Sequence, residues 1–327
     1  MGAQTVGANE IDWAALREEA LGDPASSLVP PNVKFPALPH AVTLYVQKAR
    51  DQAVPLKELA AILEADSGLT IQLLKYVNSS YLAVKRKVVS VLQALSLLGS
   101  QKSLRFVIAT GMEAAIRAHD SKLIKQNEFW NTNLQKAIFA REVALLLNAD
   151  PEVAFVGALL QDFVLPVLTN DLFEDYCQFV PSEETTPRSL GEFEQARFGL
   201  DHGLVGACLA HAWNLPDELV CCICYHHSGL QILTHPKLGR TPVAAAALSA
   251  LLPDHFCRNN RGLELLLKLE PKWLAFDLER LADSVDRQYV HMGLGLHNDF
   301  PLLPRCKSLA KEASVSPVEP VDAAAGT

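Results

Sequence analysis

The sequence contains no hydrophobic run long enough to cross a membrane. Its longest nearly unbroken apolar run, from Val243 to Leu252, has about ten residues, whereas a membrane-spanning helix needs about twenty. The first twenty residues contain four acidic side chains and lack the apolar core of a secretory signal. We therefore expect a cytoplasmic protein without a transmembrane helix, a signal peptide or a membrane partner.

Strand-like alternation of apolar and polar residues is nearly absent, and so are glycine-rich phosphate loops and βαβ patterns. Apolar residues instead recur at helical spacing, with helix start signals such as Pro55 and Asp66 and a stop signal at Gly99. The pattern predicts an all-α fold. It gives no indication of a fused receiver or nucleotide-cyclase domain.

The seven cysteines are odd in number and scattered, which indicates reduced thiols in a chain without an export signal. Cys221 and Cys224 have the Cys-x-x-Cys spacing, but a structural zinc ion needs a second ligand pair. Cys222 lies between these two, and the other four cysteines are isolated in the sequence: Cys177, Cys208, Cys257 and Cys306. Because the motif lies inside a predicted helix, 217–227, core packing is the better interpretation than a zinc or redox site.

The chain also lacks an excess of basic residues. With 29 basic and 37 acidic side chains, its net charge is −8, which makes a dedicated duplex-DNA binder unexpected. The charge is uneven, however: residues 34–147 carry fifteen basic and eight acidic side chains, and residues 148–327 carry thirteen and twenty-four. This indicates either two lobes with different surfaces or a chance drift among solvated helix faces.

Basic side chains are concentrated at Lys85, Arg86 and Lys87, close to two tyrosines and to the polar turn that contains Asn78 and Ser79. Such a group can bind single-stranded nucleic acid or a nucleotide phosphate. Three charges are few, and a solvated loop between helices is the favoured interpretation. A protein partner that contacts the basic lobe remains a hypothesis, whereas a nucleic-acid partner is not expected.

A second candidate group contains Asp162, His202, His226 and His227, each at the end or the beginning of a predicted helix. Helix ends that converge on one cleft can assemble His and Asp ligands for a hydrolytic metal. The alternative is that these side chains only cap helices or bond to one another.

Several short segments, in order between about residues 30 and 230, match one known family. They are Phe35-Pro36-Ala37-Leu38-Pro39, Asp66-Ser67-Gly68-Leu69-Thr70, Leu73-Leu74-Lys75-Tyr76-Val77-Asn78-Ser79, Val91-Leu92-Gln93-Ala94-Leu95 with Leu98-Gly99, Phe129-Trp130, Gly157-Ala158-Leu159-Leu160-Gln161-Asp162, Asp201-His202-Gly203-Leu204-Val205-Gly206-Ala207, Trp213-Asn214-Leu215-Pro216 and His226-His227. The chain resembles HDOD proteins, the regulatory relatives of the HD and HD-GYP phosphohydrolases.

The resemblance implies which positions would hold metal in an HD enzyme: a first histidine, a His-Asp pair, further histidines and a final aspartate. Here the first position is Thr132, the pair is Gln161-Asp162, and the helix 242–252 that would supply the last aspartate has no acidic residue. Asp162, His202 and the pair at 226–227 remain. Losing three ligands from one cluster should remove a catalytic site.

We therefore expect no cofactor or metal, and a non-catalytic bacterial signal-transduction protein that binds a protein partner or a small ligand. The alternative is a metal-dependent phosphohydrolase acting on a nucleotide or a phosphodiester. The matched positions Asp66, Asn78 and Ser79 join the basic run as candidate interaction residues.

The predicted organisation has four parts. They are an N-terminal segment (1–27), an HDOD domain (28–235) with an N-terminal helical lobe (28–127) and a degenerate HD-like lobe (128–235), a C-terminal helical extension (236–311) and a disordered tail (312–327).

Overall fold

All regular secondary structure in the described part of the chain is helical, which confirms the all-α prediction. The computed structural model describes residues 11–22, 33–51, 53–79, 82, 84, 86–119, 121–179, 189–253, 260–292, 298 and 300–315. One hydrophobic core runs through both lobes. The fold is therefore a continuous helical assembly.

The first lobe consists of four helices that follow an N-terminal helix. The helices are α1 (Trp13–Leu21), then α2 (His40–Ala49), α3 (Leu56–Glu64), α4 (Ser67–Val77) and α5 (Val91–Arg117). Asp66 caps α4 by accepting a hydrogen bond from the Leu69 amide at 3.0 Å. Gly99, with a φ of +77°, interrupts α5 at the stop that its sequence predicts. Helix α5 packs against α2, α3 and α4 and so forms the centre of this lobe.

The second lobe contains the candidate site. Its elements are α6 (Gln126–Leu147), α7 (Pro151–Leu160), α8 (Leu165–Asp171), α9 (Phe173–Tyr176), α10 (Leu190–Phe198), α11 (His202–Ala212), α12 (Asp217–Tyr225), a 3₁₀ segment (His226–Thr234) and α13 (Pro242–Ser249). Helix α13 packs against α6, α7 and α12. Every residue of α13 is buried, as its alanine-rich sequence allows.

The structure departs from the predicted division at residue 235. Helix α13, assigned to a C-terminal extension, lies in the core of the second lobe, where Ser249 Oγ lies 3.4 Å from Gln161 Oε1. Helix α1 also packs on this lobe, and the Arg17 guanidinium bonds to Asp217 of α12 at 2.8 Å. The second lobe therefore takes packing elements from both flanking segments.

The rest of the C-terminal part is helical as predicted. Its helices are α14 (Arg261–Leu267), α15 (Leu278–Met292) and α16 (Leu302–Val315). Helix α15 packs on α6, and α16 packs on both α14 and α15. Because α16 continues to Val315, the predicted tail boundary at 312 falls inside a helix, and residues 316–327 lie outside the described part.

One described segment, Pro151–Asp171, is long and apolar enough to cross a membrane by length and composition alone. Of its most apolar window, 83% is buried inside the protein. Core helices pass the same test, and α7 is a core helix. Of the Cys-x-x-Cys motif in α12, Cys221 is buried and Cys224 is half-buried, which agrees with the core interpretation; Cys257 lies outside the described residues.

Polar contacts join the two lobes around a cavity of about 880 Å³. Arg105 of α5 forms a bidentate ion pair with Asp150, the N-cap of α7, at 2.9 and 3.2 Å. Arg50 at the end of α2 donates to the carbonyl oxygen of Asn214 at 2.5 Å. Arg105 and Arg50 line the cavity and bridge the two lobes.

Candidate functional site

The structure brings Asp162, His202, His226 and His227 together. Asp162 follows α7, His202 is the first residue of α11, and the other two histidines begin the 3₁₀ segment after α12. Asp201 caps α11 by accepting from the Leu204 amide at 2.9 Å, which fixes the backbone at His202. Three helix ends therefore converge as the sequence suggests.

Distances within this His–Asp cluster are those of direct contact. His202 Nε2 lies 3.2 Å from Asp162 Oδ1, and His226 Nε2 lies 3.4 Å from the same oxygen. His202 Nε2 is also 3.3 Å from His226 Nε2 and 3.1 Å from His227 Nε2. The three imidazoles thus form a group whose nitrogen atoms could come close to one metal ion.

A lysine occupies one side of the cluster, and sequence reasoning missed it. Lys136 Nζ donates to Asp162 Oδ2 at 2.8 Å, and the two side chains are 3% and 7% exposed. Lys136 lies on α6, one turn after Thr132, between the buried residues Gln135 and Ala137. Its position within a buried stretch of α6 was the one available signal.

A glutamate contacts the other side of His202, and sequence reasoning missed it too. Oε2 of Glu194, on α10, lies 2.6 Å from His202 Nδ1 and accepts a hydrogen bond from the His202 amide at 2.8 Å. The Tyr176 hydroxyl donates to Glu194 Oε1 at 2.6 Å. Both carboxylate oxygens of Glu194 are therefore engaged in a buried network.

These contacts decide the protonation of the central pair. Burial alone would raise the pKa of Asp162, but the Lys136 ammonium and the two histidines hold that pKa well below its usual range. Burial opposes protonation of His202, yet Glu194 and Asp162 outweigh it and raise the pKa of His202 to about 10. At neutral pH His202 is an imidazolium between two carboxylates.

The remaining two histidines have different environments. His226 is buried and donates from Nδ1 to the carbonyl oxygen of Ile223 at 2.7 Å, which leaves its Nε2 facing His202. His227 is exposed at the edge of the cluster, but its Nε2 points inward. Burial of that nitrogen, with the neighbouring His226 and His202, lowers the pKa of His227 well below its usual range. A neutral His227 can accept a hydrogen bond from the protonated His202.

The two substituted positions of the family pattern, Gln161 and Thr132, have different hydrogen-bond partners. Gln161 is fully buried and donates from Nε2 to Asp162 Oδ2 at 3.3 Å, so it belongs to the cluster. The Thr132 hydroxyl donates to the Glu128 carbonyl within α6 at 2.9 Å, and no contact links it to the cluster. Thr132 is therefore bonded to its own helix.

The candidate interaction residues of the first lobe have structural contacts. Besides the Asp66 cap, Asn78 accepts from the Val88 amide at 2.8 Å and donates to the Leu74 and Val88 carbonyls at 2.7 and 2.8 Å. Ser79 donates to a backbone carbonyl at 2.7 Å. Asn78 therefore ties the chain before α5 to the end of α4.

The basic run is only partly described. Arg86 and Lys87 are exposed, which agrees with a solvated loop, and Lys85 lies outside the described residues.

Comparison with known proteins agrees with the helical architecture. The family profile of the HDOD domain matches residues 35–229, more than half of the chain. The chain belongs to the HDOD family. The HDOD profile begins before α2 and ends within the 3₁₀ segment, so it contains α2 to α12 and every residue of the cluster but not α13.

Solved structures show the same fold. An HDOD domain protein of unknown function from Geobacter sulfurreducens is 21% identical, with 92% of this chain and 96% of that chain covered and a TM-score of 0.58. A protein from Shewanella amazonensis SB2B described as a candidate phosphohydrolase is 19% identical, with 85% and 90% covered and a TM-score of 0.56. At these identities the likeness shows the fold alone.

A relative is also found among curated sequences. An uncharacterized protein from Treponema pallidum (strain Nichols) is 24% identical over 199 residues, which are 59% of this chain and 38% of that protein. The match therefore spans well under half of the relative's length.

Proposed function

We propose that this HDOD protein is a non-catalytic regulatory protein that acts in the cytoplasm by binding a protein partner, and that its His–Asp cluster is a structural remnant of a metal site. The observation that carries the proposal is the buried ion pair of Lys136 with Asp162 at 2.8 Å. An ammonium group already neutralises the carboxylate that a metal ion would need.

The donor set does not fit a bound metal ion. His202 contacts Glu194 through Nδ1 and faces Asp162 with Nε2, and the pKa of about 10 that these carboxylates give it opposes loss of the proton that a metal ligand must release. Gln161 has an amide at a position where the family pattern has an imidazole, and an amide is a weak ligand for a transition metal. Metal binding would have to remove the His202 proton and also place a cation next to the Lys136 ammonium, at a Coulombic cost in a buried site.

The three imidazoles support a second candidate function. Because their ring nitrogens lie within 4.8 Å of one another, displacement of Lys136 and loss of the His202 proton would leave a trio able to hold one metal ion. A metal ion there would activate water for a metal-dependent phosphohydrolase acting on a phosphodiester. The likeness to the Shewanella protein is compatible with this function but is evidence of fold only.

Hydrolysis of a generic phosphodiester, bis(p-nitrophenyl) phosphate, with added Mn²⁺ tests the proposal. We expect release of nitrophenol at the rate of the protein-free control, with no difference between the wild type and His202→Ala. A matched variant, His211→Ala, changes a histidine of the same helix outside the cluster. Hydrolysis that His202→Ala abolishes and His211→Ala leaves intact would establish the phosphohydrolase instead.

A further inference from the structure

One stretch of the sequence is basic and contains no acidic residue. From residue 67 to residue 112 the sequence contains six basic side chains and no aspartate or glutamate. Lys75 on α4, Lys87 before α5 and Lys102 within α5 are all exposed. Arg105 is the exception in this stretch, since it turns towards Asp150 of the second lobe. The exposed charges therefore have no acidic neighbours along their own helices.

Exposed aliphatic side chains lie in the same stretch of the chain. Ile71 on α4, Val89 before α5, and Leu92 and Leu97 on α5 are 53%, 69%, 38% and 52% exposed. They are four of the nine large hydrophobic side chains that are exposed in the described part of the chain. Exposed hydrophobic side chains that are clustered rather than scattered are a feature of surfaces that bind partners.

Hydrogen bonds and helix packing link the segments that carry these side chains. Ile71 and Lys75 are one turn apart on the side of α4 opposite its buried Leu73. The three Asn78 bonds hold Val88, and with it Val89, against the end of α4. Helix α5 then continues from Val91, packed on α4.

On α5, Leu92 and Leu97 border the exposed polar positions Gln93 and Ser96, opposite the buried residues of that helix. We call the resulting surface the α4–α5 face and define it by Ile71, Lys75, Lys87, Val89, Leu92 and Leu97.

We propose that the α4–α5 face is the docking site for an acidic amphipathic helix of a partner protein. Aliphatic side chains between lysines match a helix that carries leucine-type residues on one side and carboxylates along its edges. Acidic side chains of the partner meet no like charge on this face, which favours an acidic partner over a basic one. This inference rests on the proposed function and names the class of partner.

The chemistry of the face argues against a nucleic-acid ligand. Nucleic-acid surfaces combine basic side chains with aromatic stacking platforms. The six residues of this face include no aromatic side chain, and Tyr76 of α4 is half-buried and stacks on Phe106 at a centroid distance of 4.9 Å. Helices that bind membrane surfaces also combine leucine-type side chains with lysines, so vesicle binding is a separate outcome of the test.

Binding of a designed probe tests the proposal on the full chain. The probe is a fluorescein-labelled amphipathic peptide with leucines on one helical side and glutamates on the other, and a peptide of the same composition in scrambled order serves as control. Binding is measured by fluorescence anisotropy at low and high salt. We expect saturable binding of the amphipathic peptide that weakens as salt rises.

Matched variants locate the binding surface. Val89→Glu and Leu97→Glu should each weaken binding by about tenfold or more. The controls are Val290→Glu and Leu145→Glu, because Val290 and Leu145 are 67% and 55% exposed but lie on α15 and α6. These controls should change binding by less than about twofold. Thermal unfolding monitored by circular dichroism verifies that each variant is folded.

Several results would overturn the proposal. They are the absence of saturable binding, equal binding of the scrambled peptide, and equal loss of binding in the control variants. Binding of the wild type to phosphatidylserine-containing vesicles, lost in Leu97→Glu, without peptide binding would assign the face to a membrane. A dimer in sedimentation that Leu97→Glu converts to monomer would assign it to a second copy of the chain. Phosphodiester hydrolysis depends on the His–Asp cluster and not on the α4–α5 face. Failure of the proposed function can therefore be distinguished from failure of the docking proposal.

Discussion

Lys136 Nζ lies 2.8 Å from Asp162 Oδ2 in the core of the second lobe, with both side chains almost fully buried. A buried charge pair of this kind is costly to desolvate and is retained only with good geometry and further hydrogen bonds. Gln161 and His202 supply such bonds to Asp162. In the proposed function, the Lys136 ammonium supplies the positive charge that a metal ion would otherwise bring to Asp162.

Removing the lysine should destabilise the fold strongly. In Lys136→Met the Asp162 carboxylate stays buried without its main counter-charge, and we expect a loss of about 3–5 kcal/mol in the free energy of unfolding. Urea denaturation measures this change. The control Lys48→Met breaks an exposed pair with Glu58, and its effect should be far smaller. Equal effects of the two variants would mean that the buried pair has no special role.

The protonated His202 predicts how stability depends on pH. Because folding raises the pKa of His202 to about 10, its contribution is complete below the unfolded value of about 6.5 and is lost as pH rises towards 10. The groups that face it are Glu194, Asp162, His226 and His227.

Urea titrations of the wild type should show stability falling across this window by up to about 1.4 kcal/mol per pH unit. His202→Gln should be less stable at pH 7 and should lack this decline. The same slope in His202→Gln would show that other groups cause it.

Glu194 should control the protonation of His202. With Glu194→Gln the ring loses one of its two carboxylate partners, so its pKa should fall. Long-range ¹H–¹⁵N NMR of the histidine side chains measures the titration. Glu192→Gln is the matched control, because Glu192 lies on the same helix α10 but bonds to the Ser189 amide at its N-terminus. An unchanged His202 pKa in Glu194→Gln would contradict the account of this contact.

Asn78 should hold the start of the α4–α5 face in place. In Asn78→Ala three hydrogen bonds to Leu74 and Val88 are lost, and we expect a cost of roughly 1–3 kcal/mol. Local opening should speed trypsin cleavage after Arg86 and Lys87, as mass spectrometry of the fragments can show. Ser79→Ala removes a single bond to a backbone carbonyl and should have little effect. Equal cleavage rates in the two variants would argue against this role of Asn78.

The sequence predicts much of the fold through local signals. Asp66 caps α4 where the sequence places a helix start, and Gly99 interrupts α5 as expected. The boundary at residue 235 could not be obtained in this way. Local periodicity identifies α13 as a helix, but its position between α6, α7 and α12 is a long-range packing relationship.

The sequence likewise predicts only part of the candidate site. The family pattern identifies Asp162, His202 and the pair at 226–227, and the structure brings these side chains into contact. Lys136 and Glu194 are absent from that pattern, and a lysine or a glutamate on a helix normally indicates a solvated position. Their burial depends on the convergence of α6 and α10 on the His–Asp cluster, which no single helix reveals.

The metal content of the purified protein tests the central claim most directly. Protein prepared without chelator, analysed by inductively coupled plasma mass spectrometry, should contain zinc, manganese and iron far below one ion per chain. The content should not change in His202→Ala, with His211→Ala as the matched control. One metal ion per chain that is lost in His202→Ala and kept in His211→Ala would contradict the claim that Lys136 and the protonated His202 have replaced a metal site.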